Sequence, residues 1–104
     1  DFNKDLLGNS EEVFGRSGEG QTWAQPFPLK YLDGKDLSLV SSLDVNNPLP
    51  TCRNADGPYN AEQFVLTVDG FIVSANVSVS MCAVADGRFI YSDHNPVLMK
   101  FILS

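Results

Sequence analysis

The run from Phe64 to Ser74, Phe-Val-Leu-Thr-Val-Asp-Gly-Phe-Ile-Val-Ser, is almost entirely β-branched and aromatic. Such a run reads as a strand covered on both faces, because it lacks the alternating polar residues that would meet water. Two further strands follow. Val77, Val79, Met81 and Ala83 alternate with Ser78, Ser80 and Cys82, the pattern of a strand with one wet face. Val97, Met99, Phe101 and Leu103 alternate with Leu98, Lys100 and Ile102, and Pro96 takes the first position, where a ladder tolerates it. Asp86-Gly87 supplies a turn between them. Successive strands with short connections predict a three-stranded antiparallel core over residues 61–104, one layer of a sandwich in a mostly antiparallel α+β chain. Its inner face is expected to carry Val65, Phe71, Val73, Val97, Met99 and Phe101.

A layer to cover that sheet is harder to find. Residues 1–60 are crowded with turn formers, among them Gly15, Gly18, Gly20, Pro26, Pro28, Gly34, Pro48, Pro50, Gly57 and Pro58. Only short elements fit between them. Ser10-Glu11-Glu12-Val13-Phe14-Gly15 predicts one or two helical turns with Ser10 as cap and Gly15 as stop. Leu37 to Ser41 predicts a short strand, and Pro48 and Pro50 hold the chain extended around Leu49. The rest of the first part reads as loop. The chain also opens at Asp1, in mid-motif, without a Met or a recognisable signal peptide. We therefore expect a fragment whose inner face packs on a second chain, either the N-terminal half of the same domain or another copy of this one.

Composition narrows the class. At 104 residues, 43% hydrophobic and 19% charged, the chain is globular rather than disordered or collagen-like. No apolar run approaches the ~20 residues of a membrane-spanning helix. Seven Lys and Arg against thirteen Asp and Glu leave a net charge of −6, which argues against a phosphate-backbone partner. Cys52 and Cys82 are too few for a disulfide framework and match no zinc spacing, so they read as reduced thiols. Asn76-Val77-Ser78 is a formal glycosylation acceptor that matters only in a secreted eukaryotic protein, and we treat it as chance.

A handful of residues could carry chemistry. Asp69 interrupts the most apolar strand, where an unpaired carboxylate costs several kcal/mol. Either Val68-Asp69-Gly70 bulges and Asp69 meets water, or something satisfies it. Asp93 and His94, the only histidine, follow Ser92. They could be ordinary turn residues or a hard-metal ligand beside a titrating imidazole. Asp1 and Asn3 share a face if they end a strand, which suits a joint grip on a metal, water or phosphate oxygen; otherwise they are a frayed terminus. Arg53, in a polar loop with Tyr59, could fork onto a phosphate, or be solvated or paired to Asp56. Trp23, with Phe27 and Tyr31 nearby, is expected to pack the first part onto the sheet.

The order of these pieces is more specific than any one of them. Asp1-Phe2-Asn3, then Val68-Asp69-Gly70-Phe71-Ile72-Val73-Ser74, then Tyr91-Ser92-Asp93-His94-Asn95-Pro96-Val97 before a closing strand resembles the C-terminal part of the endonuclease/exonuclease/phosphatase superfamily. Members end with a Gly-Asp-Phe-Asn motif, an Asp-Tyr-Ile-Phe-Val-Ser strand and Ser-Asp-His-x-Pro-Val. The segment from Pro50 to Tyr59 is similar to a bacterial branch. The resemblance implies a four-layer αββα sandwich of which this chain supplies mainly the second sheet.

The resemblance also implies roles. His94 would contact the scissile phosphate or move a proton, and Asp69 would accept its hydrogen bond and set its tautomer. Asp93 would help hold Mg²⁺ (or Mn²⁺), Asp1 would position the attacking water, and Asn3 would hydrogen-bond the phosphate or that water. The principal metal ligands of the family, an Asn and a Glu, lie in the N-terminal half of the full domain. The resemblance thus implies metal-assisted hydrolysis of a phosphate ester by the intact protein, with the 104-residue chain inactive alone. Charge tilts the substrate from nucleic acid toward a small or lipid phosphate ester, unless the rest of the domain carries basic surface. The alternative is a non-catalytic binding or structural module that keeps the core of the family.

Overall fold

Turn chemistry cuts the chain into short pieces, and the computed structural model, which describes residues 1–42 and 46–104, shows how few of them are helical. The elements are α1 (Ser10–Phe14), a 3-10 turn at Leu29–Leu32, β1 (Leu37–Val40), β2 (Cys52–Arg53), β3 (Val65–Leu66), β4 (Phe71–Ser74), β5 (Val77–Val84) and β6 (Val97–Leu103). The strands form antiparallel pairs, β1 with β4, β2 with β3 and β5 with β6. The chain is sheet-rich α+β. No helix among the described residues is long and apolar enough to cross a membrane.

The helix starts one residue earlier than its sequence suggests. Asn9 stands at the cap position and Ser10 is the first helical residue, fully buried. The reason is Asp5, itself buried, whose carboxylate accepts the Ser10 N–H at 2.9 Å and the Ser10 hydroxyl proton at 2.6 Å. A carboxylate five residues upstream thus satisfies the orphan donor that a cap side chain would otherwise take. The serine oxygen in turn accepts the Thr67 N–H at 3.2 Å, tying α1 to the segment that follows β3. Gly15 ends the helix as expected, left-handed at φ 66°.

The run from Phe64 to Ser74 does not form one strand. It changes partner halfway, pairing first with β2 and then with β1. Between β3 and β4 the N–H groups of Val68 and Asp69 donate not to a neighbouring strand but to the Thr51 hydroxyl oxygen, at 2.9 and 3.1 Å. Gly70 then slides past the end of β1. A Cβ there would lie 2.6 Å from the Val40 carbonyl oxygen, so only glycine permits the approach. Burial changes with the partner. Gln63 to Val68 are buried without a break, whereas β4 alternates half-buried and exposed. Covering on both faces therefore holds for the first half of the run alone.

The expected three-stranded sheet over residues 61–104 is likewise divided, because β4 takes β1 as its partner and leaves β5 and β6 as a separate hairpin. That hairpin is long and carries one register shift, between Val79 and Met81. Of the expected inner face, Val65 is buried and Phe71, Val73, Val97 and Met99 are half-buried, but Phe101 is 51% exposed. The core centres instead on Cys52, Phe64, Leu66 and Val68, with Trp23 and Ala24 packed against them. Phe27 meets the ring of Phe2 edge to face, while Tyr31 stands exposed with the Lys30 ammonium over its ring.

Candidate functional site

Residues 50–53 act as a spacer between β3 and the loop that carries His94. On one side the Thr51 N–H donates to the Leu66 carbonyl at 3.0 Å. On the other, the Asn95 N–H donates to the Thr51 carbonyl at 2.7 Å and the Arg53 N–H to the Asp93 carbonyl at 2.9 Å. Cys52 and His94 are thereby paired across an antiparallel bridge. The Asn95 side chain, on a buried residue, fastens the same loop at both ends: its amide donates to the Pro50 carbonyl at 3.0 Å, and its oxygen accepts the Gly87 N–H at 3.1 Å. The Ser92 hydroxyl accepts the His94 N–H at 3.1 Å.

This scaffold delivers His94 to Asp69 across 25 positions of sequence. The imidazole Nδ1 lies 2.8 Å from Asp69 Oδ2, a hydrogen bond in which the ring nitrogen donates. Asp69 is thus neither an unpaired buried carboxylate nor a solvated one. It occupies the break between β3 and β4, its side chain 18% exposed, where Thr51 has turned the backbone away from ladder pairing. With the proton held at Nδ1, Nε2 faces two further groups. Asp1 Oδ2 is 3.5 Å away and Cys52 Sγ 3.7 Å away. The backbone nitrogen of Asp1 also approaches Asp69 Oδ1, at 3.4 Å.

Asp1 and Asn3 do not end a strand. The Asp1 carboxylate folds back to accept the Asn3 N–H at 2.8 Å, and Asn3 is left-handed at φ 52°, a conformation asparagine tolerates. The two still line one polar cleft of about 270 Å³, together with Asp93, His94, Arg53 and Cys52. A wider opening of about 590 Å³ begins on the far side of Asp1 and His94, walled by Asp69, Phe71 and Pro96. The predicted residues Asp1, Asn3, Arg53, Asp93 and His94 therefore share one cleft, and Asp69 meets it through His94.

Arg53 lines this cleft and is not paired to Asp56. Its Nη1 donates to the carbonyls of Asn54 at 3.1 Å and Gly57 at 2.8 Å, bracing its own loop. Asp56 instead accepts from the Gln63 amide at 2.6 Å, and no ion pair joins it to Arg53 among the described residues. The Nε of Arg53 is buried without a partner.

Asp1 and Asp93 are hard oxygen donors of the kind Mg²⁺ prefers, but that ion wants about six oxygens. Among the described residues no three His, Cys, Asp or Glu side chains are grouped to hold a metal. Among the described residues the donors suit the ion in kind and fall short in number.

Two residues at the site escape the sequence reading. Thr51 carries no signal beyond its type. Cys52 reads as an ordinary thiol, and it is free and buried, yet its sulfur touches the functional edge of His94. Burial, reinforced by the Asp93 and Asp69 carboxylates, pushes the Cys52 thiol up to about 12. The sequence Cys52–His94–Asp69 thus has the order of a nucleophilic triad without its electrostatics, because burial and the two carboxylates disfavour a thiolate by more than the Arg53 charge favours one. Cys82 is raised by burial alone. In comparison with known proteins, no family model, curated protein or solved structure matches the chain.

Proposed function

We propose that this chain contributes the histidine–carboxylate part of the active site of a divalent-metal-dependent phosphoesterase, a phosphatase, phosphodiesterase or nuclease of the endonuclease/exonuclease/phosphatase kind. The observation that carries the reading is the 2.8 Å contact of Asp69 with His94 Nδ1, beside a cleft that also holds Asp1, Asn3 and Asp93. Asp69 sets the imidazole so that Nε2 addresses the cleft, where it can accept a proton from water and, once protonated, stabilise or protonate a phosphate oxygen. Asp1, 3.5 Å from Nε2, would orient a water against the phosphorus, and the Asn3 amide would hydrogen-bond the phosphate or that water. Bound Mg²⁺ or Mn²⁺, held in part by Asp93, would neutralise phosphate charge. The remaining ligands would come from outside residues 1–104, in the first sheet of a four-layer αββα sandwich. The exposed apolar edge of β6 is assigned to the same source or to a second copy of the chain.

The test is a metal-dependent hydrolysis assay on an aryl phosphodiester, on a phosphate monoester and on DNA. We expect the 104-residue chain to be inactive alone and the intact protein to be active with Mg²⁺. His94→Ala should then lower its kcat by roughly 10²–10⁴-fold. Robust turnover by the isolated chain refutes the division of the site. No turnover by the intact protein favours the non-catalytic module.

A further inference from the structure

The sulfur of Cys52 sits 3.7 Å from His94 Nε2, the nitrogen the phosphoesterase reading needs. Bridge pairing puts the two side chains directly opposite each other on one face, so the contact follows from the backbone and not from a chance rotamer. Cys52 is only 5% exposed, and its single proton has two acceptors in reach, His94 Nε2 and the Arg53 carbonyl at 3.4 Å. The imidazole nitrogen is the more basic of the two. In the neutral ring, the 2.8 Å contact with Asp69 holds the one proton at Nδ1 and leaves the lone pair at Nε2.

We propose that Cys52 is a positioning residue for His94, its S–H donating to Nε2 and pinning the ring from the side opposite Asp69. A thiol suits that task. As a weak donor it orients the imidazole in the resting site, and the O–H of an incoming water displaces it at little cost when Nε2 accepts that proton. It is not itself a nucleophile, since its surroundings keep it protonated. Asp1, 3.5 Å from the same nitrogen, offers no proton while its carboxylate is ionised, which leaves the thiol as the donor at that edge. The functional consequence rests on the phosphoesterase reading, whereas the hydrogen bond does not.

The contact can be read without any activity. In Raman difference spectra of the intact protein, wild type minus Cys52→Ala, the S–H stretch of Cys52 should lie below the free-thiol position. It should move up toward that position in His94→Ala, whose side chain is 31% exposed and whose loss opens no deep cavity. A band at the free-thiol position, or one unmoved by His94→Ala because the thiol serves the Arg53 carbonyl, overturns the proposal. Imidazole ¹⁵N shifts at one fixed pH give a second readout. Cys52→Ala should shift Nε2 and leave Nδ1 in place, and Cys52→Ser should restore Nε2. A proton found on Nε2 in the wild type is equally fatal. In an active enzyme Cys52→Ala should lower kcat roughly tenfold with KM little changed, and Cys52→Ser should recover most of it. Unchanged kcat refutes the positioning role. An inactive wild type refutes the phosphoesterase reading and leaves the Raman and ¹⁵N results to decide this one.

Discussion

Two β-structures in this chain are written in similar apolar residues and come out differently. The segments 50–53, 64–69 and 93–95 form a small assembly in which Leu66, Val65, Val68 and Thr51 are almost completely buried. The β5–β6 hairpin has longer strands and more regular pairing, yet Leu98, Phe101, Ile102 and Leu103 are all more than half exposed. The first region holds its short strands with side-chain hydrogen bonds from Thr51 and Asn95, the second mainly with a backbone ladder that shifts register once. Ladder length and burial are therefore separate quantities here. The functional side chains lie in the region with less regular structure, where the break after β3 frees Asp69 from the ladder and the bridge with Cys52 sets His94 beside it.

Thr51 is the place to break that contrast. Thr51→Val keeps the shape and removes the acceptor of two N–H groups, those of Val68 and Asp69. A buried donor left unpaired costs about 1–3 kcal/mol, so a drop of that order in unfolding free energy is expected by denaturant titration. Thr51→Ser, which retains the oxygen, should recover most of it. The same Val substitution should loosen the contact between Asp69 and His94, visible as a changed imidazole ¹⁵N spectrum. If Thr51→Val is as stable as the wild type, the hydroxyl does not hold the break and the account of the two regions is wrong at its base.

Parts of this were legible in the sequence. The strands at Val77–Val84 and Val97–Leu103, the helical turn ending at Gly15 and the short strand near Leu37 follow from alternation and turn chemistry. The switch of partners after Leu66 does not, because it depends on the Thr51 hydroxyl reaching a strand 17 positions away. Nor does the contact of Cys52 with His94, separated by 42 positions. Local pattern reports what a residue prefers, and these residues answer to whichever segment lies beside them. Asp5 makes the same point: a carboxylate near the start of the chain is buried because Ser10 and the Leu7 N–H satisfy it, which no spacing announces.

A smaller effect should separate the regions by pH. The Cys52 thiol is raised from 9.0 to about 12 in the folded chain, and on unfolding it returns to its ordinary value. The folded state therefore binds this proton more tightly. Its stabilising contribution is whole below pH 9 and is lost progressively as pH rises toward 12. Between those limits the wild type should lose more stability than Cys52→Ser, and below pH 9 the difference between the two should be flat. Equal slopes in the alkaline range would mean that the sulfur is better solvated than its burial implies.

The smallest effect belongs to the hairpin. Ile102 is 68% exposed, so Ile102→Ser removes little that folding had buried, and stability should change by no more than about 0.5 kcal/mol. What should change is association. Leu98, Phe101, Ile102 and Leu103 put apolar side chains on a strand whose outer edge has no partner strand among the described residues. Unprotected edges of that kind pair with other chains. The 104-residue chain should sediment as more than a monomer at high concentration, and Ile102→Ser should shift it toward monomer at unchanged unfolding free energy. If the substitution instead destabilises the chain by as much as Thr51→Val, the hairpin is buried against the rest of the chain in solution. The contrast between a covered site scaffold and an uncovered hairpin would then fail on its second side.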